Sequence, residues 1–87
     1  MYYLLVYDVD VSKVNKIYKY LKRYMNWIQN SVFEGELGDA DFLEVKKKLN
    51  QWVDKETDSI LIFKFRDKHS FEKEVIGRER NELSNIL

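Results

Sequence analysis

The chain has no cysteine and a single histidine, His69, in 87 residues. Neither a disulfide framework nor a cysteine zinc site is possible, and there is no His/Cys ligand cluster. Net charge is missing as well. Fifteen basic and fifteen acidic residues cancel, so no overall positive field advertises nucleic acid, and any such binding must come from local segregation of charge. Only three glycines occur and none forms a phosphate-cradling loop. No apolar run is long enough to span a bilayer, and the N-terminal one lacks the basic flank of a signal peptide. The expectation is a soluble cytoplasmic protein without a membrane role, in keeping with the lack of cysteine. Repeats, linkers and low-complexity segments are absent too.

What is present is a heavy apolar load. Hydrophobic residues make up 45% of the chain, with six Tyr, five Phe and two Trp. A single domain of this size buries only about 60% of the surface its unfolded form exposes. Part of the apolar surface is therefore expected to be covered by a second copy of the chain. The run Tyr2-Tyr3-Leu4-Leu5-Val6-Tyr7 reads as a strand buried on both faces, and it ends at Asp8. A carboxylate at the tip of a central strand sits where the sheet opens to solvent, so it can reach a ligand while a rigid element holds it. The plain alternative is a turn former or helix cap.

After Asp8, the residues Val14, Ile17, Tyr18, Leu21 and Met25 recur at helical spacing, with Asp10 or Ser12 as the N-cap. Lys13, Lys16, Lys19, Lys22 and Arg23 take much of the remaining surface. Residues 27 to 37 read as extended structure, either one kinked strand or two short ones about Asn30-Ser31. Phe33, Gly35 and Leu37 share one face there, opposite Glu34 and Glu36. Asp41 with Glu44 resembles a capping box for a second helix, whose inward residues are Phe42, Val45, Leu49, Trp52 and Val53. Residues 59 to 66 form another strong strand. Residues 67 to 70 are a loop, 71 to 77 offer a short strand, and 78 to 87 form a charged, loosely ordered tail. This order predicts a two-layer α+β sandwich, ferredoxin-like in topology, with helices on one face of a mainly antiparallel sheet. It makes one domain over residues 1–77. An RNA-recognition sheet shares that topology, but Ile60-Leu61-Ile62-Phe63 lacks its exposed aromatic and basic pattern.

Three segments in order resemble CRISPR-associated protein two, the small subunit of the spacer-acquisition machinery. They are Tyr7-Asp8-Val9, then Ile-Gln-Asn-Ser-Val-Phe-Glu-Gly-Glu-Leu at 28 to 37, then Asp58-Ser59-Ile60-Leu61-Ile62-Phe63. Glu74-Val75-Ile76-Gly77 also looks like the family's short C-terminal strand. The resemblance implies a homodimer in which that strand adds to the partner's sheet. It implies that Asp8 of each copy faces its mate across the twofold axis, binds a divalent metal and is catalytic. Two such carboxylates repel, and a cation removes that cost; Mg2+ suits so sparse a donor set.

The implied activity is a metal-dependent endonuclease on RNA or DNA, working with the CRISPR integrase, CRISPR-associated protein one. The alternative is a non-catalytic adaptor that bridges integrase subunits and binds duplex DNA. Lys13, Lys16, Lys19 and Arg23 are the candidates for phosphate contacts, although a solvated helix face reads the same way. Lys13 and Lys16 stand in the early part of the helix, where many relatives carry arginine, and supply charge without the bidentate fork. Tyr7, Ser31 and Phe33 are further candidate contacts; ordinary packing explains Tyr7 as well, and explains Phe33 better. Ser31 fits either a phosphate contact or a strand kink. His69, far from Asp8 in sequence, reads as an ordinary surface residue.

Overall fold

The computed structural model describes residues 1–78. Six elements occur in the order β1 (Tyr2–Asp8), α1 (Val11–Leu21), β2 (Asn26–Gln29), β3 (Val32–Glu36), α2 (Asp39–Trp52) and β4 (Ser59–Phe65). The strands form one sheet in the order β2-β3-β1-β4 with every pairing antiparallel. This is the α+β, ferredoxin-like arrangement expected from the sequence.

β1 is central, and its alternation builds the core. Tyr3, Leu5 and Tyr7 point to the helix side, where they meet Ile17 and Leu21 of α1 and Val45 and Leu49 of α2. Phe42 of α2 stacks on Tyr3 with ring centroids 4.3 Å apart. Phe33 is completely sealed, and the first helix also buries Tyr20, whose place in a lysine-rich stretch hid it from the periodicity.

The expectation that β1 is buried on both faces is corrected here. Both helices lie on one side of the sheet, and on the other Leu4 and Val6 are only partly covered. That open face continues through Leu61 and Phe63 of β4, which are 53% and 47% exposed. Residues 71 to 76 close over part of it, forming a hollow with Leu4, Ile28 and Val32. Phe71 packs against Tyr2 and Phe65 at 5.3 Å and 4.9 Å, and Lys73 pairs with Glu34 at 2.7 Å. Residues 71–77 are not a strand in the single chain: the segment crosses the sheet face, whereas a ladder requires it to run beside an open edge.

The stretch around Asn30-Ser31 is two strands. Asn30 takes a left-handed φ of 44°, a conformation Asn tolerates better than most residues, and the Trp27 indole donates to its carbonyl at 2.9 Å. Gly35 lies close under the Met25 backbone: a Cβ there would stand 3.3 Å from the Met25 Cα, a tight contact that Met25 would have to yield to. Asp10 caps α1, accepting from the Ser12 amide at 3.0 Å. The Asp41/Glu44 capping box does not form. α2 starts three residues earlier with Gly38 as N-cap in place of Asp41, so Asp39 and Asp41 both lie in the first turn, at the positive end of the helix dipole. The expected loop at 67–70 contains a single 3-10 turn, Lys68–Ser70, capped by Asp67. Of the tail expected at 78 to 87, residues 79–87 lie outside the described residues.

Candidate functional site

Asp8 is exposed and occupies the last rung of the β1–β4 ladder, opposite Ser59. The two-residue alternation of β1 places it on the same face as Tyr2, Leu4 and Val6, so it belongs to the open side of the sheet. The turn between β2 and β3 reaches the same end, where the Tyr7 amide donates to the Ser31 carbonyl at 3.0 Å. Asp8, Ser31 and Ser59 therefore gather at one end of the sheet. Tyr7 points the other way, into the core; burial pushes its phenol pKa up, and a Ser31 hydrogen bond opposes this. Its ring lies 6.2 Å from that of Phe33.

A second carboxylate, Asp58, immediately precedes Ser59, the residue opposite Asp8. Asp58 accepts from the Asp10 amide at 2.9 Å and from the Asp54 amide at 2.8 Å, and it pairs with the Lys13 ammonium. Its side chain has no solvent exposure. Hydrogen bonds from Asp54, Lys13 and Asp10 pull its pKa down to about 2. The Asp10 carboxylate is turned to Ser12, whose hydroxyl and amide hold its pKa below the ordinary value. Both neighbouring acids are thus occupied with holding the chain.

No group of three or more His, Asp or Glu side chains among the described residues is placed to hold a metal. One chain supplies Asp8 as a strand-tip carboxylate. Magnesium is commonly held by one or two carboxylates and keeps several of its waters, and an exposed strand-tip carboxylate is a donor of the kind that ion takes. His69 lies beyond the far end of β4, at the opposite end of the sheet.

The basic residues divide into two groups. Lys13 is committed to Asp58. Lys16 sits 4.9 Å from the Trp52 ring and shares that ring with Lys48 at 5.2 Å. Arg23 lies 5.9 Å from both the Tyr20 and Tyr24 rings, and with Lys19 it lines a shallow groove between α1 and α2. Burial, with Tyr24 beside it, pushes the Tyr20 phenol pKa up to about 12. This basic and aromatic surface is on the helix side, away from the open sheet face.

Comparison with known proteins adds a family to this geometry. The family model described as "CRISPR associated protein Cas2" matches residues 1–73. The CRISPR-associated endoribonuclease Cas2 2 of Archaeoglobus fulgidus is 45% identical over 80 residues, covering 92% of this chain and 87% of its own. That of Methanosarcina acetivorans is 44% identical over the full length of both chains. Among solved structures, one described as "Crystal structure of cas2" superposes with a TM-score of 0.83 at 46% identity, covering 92% of this chain and 90% of its own. Streptococcus pyogenes Cas2 reaches a TM-score of 0.79 at 30% identity, covering 88% of this chain and all of its own. With the family model covering the sheet and both helices, and relatives matching end to end, this chain belongs to the CRISPR-associated Cas2 family of CRISPR adaptation.

Proposed function

We propose that two copies of this chain pair through the open faces of their sheets, hold a magnesium ion between their Asp8 residues, and act as a metal-dependent endonuclease in spacer acquisition. The observation that carries this reading is the placement of Asp8 on the same face as Leu4, Val6, Leu61 and Phe63. A twofold axis that passes through that surface near the Asp8 end of β1 would bring the two carboxylates toward each other. In this reading residues 71 to 77 find, on the partner's β4 edge, the neighbour they lack within one chain. Its relatives from Archaeoglobus fulgidus and Methanosarcina acetivorans are named endoribonucleases, which supports phosphodiester hydrolysis as the chemistry.

Within the dimer, Asp8 supplies the ligands and Ser31 places a hydroxyl near the same end of the sheet. Magnesium supplies Lewis acidity toward the phosphodiester when bound. Lys16, Lys19 and Arg23 provide charge for the nucleic acid backbone, and the CRISPR integrase is the protein partner. The second reading is an adaptor that bridges integrase subunits on duplex DNA without cutting it. It is favoured by the thinness of the acid set, one strand-tip carboxylate per chain with no histidine at that end.

The deciding experiment is cleavage of single-stranded RNA and duplex DNA, with magnesium and with chelator, by wild type and Asp8→Asn prepared in parallel. Metal-dependent cutting that disappears in the variant establishes the nuclease. No cutting, or cutting that survives the substitution, overturns the Asp8 nuclease and leaves the adaptor reading in front, with any residual cutting assigned to a contaminant.

A further inference from the structure

The residue before β4 performs a task that goes beyond cohesion. Asp58 is the last residue of the α2–β4 turn, and its own amide donates to the Asp54 carbonyl at 2.8 Å, so its backbone is held before its side chain acts. Its Oδ1 accepts from the Asp10 amide at 2.9 Å, across 48 residues of sequence. Its Oδ2 accepts from the Asp54 amide at 2.8 Å and from the Lys13 ammonium. Three donors on one carboxylate, two of them backbone amides, make a short charge-assisted set with little freedom to turn.

The loop it grips is the one that follows Asp8. Asp8 is fixed on one side by its rung with Ser59, the residue after Asp58. Two residues beyond Asp8, the Asp10 amide is fixed by Asp58 itself. Val9, between them, packs against the core. Asp8 is thus held between two points anchored on the same short turn. A ligand carboxylate has to be held to within a fraction of an ångström to bind a metal well, and outer partners that orient a ligand typically account for about 10- to 100-fold in affinity.

We infer that Asp58 is the positioning residue for Asp8: its carboxylate clamps the backbone at Asp10 to the start of β4, and so fixes the strand tip from which the Asp8 carboxylate reaches the metal. This rests on the reading of Asp8 as a metal ligand. Lys13 contributes to the clamp from the side, by holding the Asp58 carboxylate in place, and is the lesser part of it because both backbone bonds persist without it.

The test uses the full-length dimer and manganese alone as a spectroscopic substitute for magnesium. Manganese affinity is measured by electron paramagnetic resonance for wild type, Asp8→Asn, Asp58→Ala and Lys13→Met, alongside hydrogen exchange at the Asp10 amide. Asp58→Ala, which removes the acceptor of that amide, is expected to speed the exchange at least tenfold and to weaken manganese binding about tenfold. Lys13→Met is expected to stay within about threefold of wild type in affinity. Unchanged exchange in Asp58→Ala overturns the inference. So does faster exchange with unchanged affinity, which makes Asp58 a structural cap only. If wild type and Asp8→Asn bind manganese equally, the ligand reading fails and takes this inference with it; Asp8→Asn separates that failure from the others. Should Asp58→Ala not fold, Asp10→Pro removes the amide donor, since the φ of −53° at Asp10 accommodates proline, and Asp10→Ala, which loses the same helix cap but keeps the donor, is its control.

Discussion

Lys13 and Asp58 form an ion pair that ties the first turn of α1 to the residue preceding β4. The pair decides which lysines of the helix have charge to offer a polyanion. Lys13 already faces a carboxylate, whereas Lys19 and Arg23 line an open groove.

Nucleic acid binding measured against salt is therefore expected to respond unequally. Lys19→Met and Arg23→Met should each lower the slope of log affinity against log salt by about 1. Lys13→Met should leave the slope within error. Equal slopes losses for all three would mean that Lys13 leaves Asp58 when nucleic acid binds.

The open sheet face makes its own prediction. Phe63→Glu places a charge where a second copy is proposed to pack, on a side chain that is 47% exposed in the single chain. It should shift the protein to monomer by sedimentation velocity at micromolar concentration while far-ultraviolet circular dichroism keeps its native shape. A dimer that survives this change would place the interface elsewhere.

Acid sensitivity follows from Asp58. Its folded pKa of about 2 lies below the ordinary 3.8, so its contribution to stability is complete above the unfolded value and is lost as pH falls from there through about 2. The midpoint in urea should fall with pH across that window. Asp58→Asn should start from a lower midpoint and vary less over the same range. If the two curves run parallel, the acid limb belongs to other groups.

Packing under the hairpin gives a mutational test of the fold itself. Gly35→Val would drive a branched side chain into the Met25 backbone, where even a Cβ stands at 3.3 Å. A loss of about 1–3 kcal/mol in chemical denaturation is expected, the usual cost of overpacking. Asp8→Asn, on an exposed side chain, should change stability by no more than about 0.5 kcal/mol.

Much of this was legible in the chain. Alternation around Phe33, helical spacing from Val14 to Met25, and the strand ending at Asp8 all announce elements that the fold contains. The faces were harder to read. Tyr2, Leu4 and Val6 are as apolar as a strand sealed between two layers, and a sequence does not distinguish cover by a helix from a surface left open. Asn30 carried the signal for the hairpin, because a residue tolerant of positive φ between two extended runs marks a turn. Tyr20 was masked by its lysine neighbours, since a side chain with a polar tip can bury its ring among charged residues. Asp58 left no local trace of its clamp. Its partners Asp10 and Lys13 come within reach only after β4 has paired with β1.

The central place of β1 also makes the sheet a closure of distant parts of the chain. Tyr2–Asp8 pairs with β3 on one side and with β4 on the other, and the second of these is complete only at Phe65. Until β4 arrives, one long apolar edge of β1 has no neighbour. Long-range pairing of this kind is slow and leaves strand edges unprotected. A partly folded chain is thus most open to wrong pairing along that edge of β1, and the docking of β4 removes the hazard.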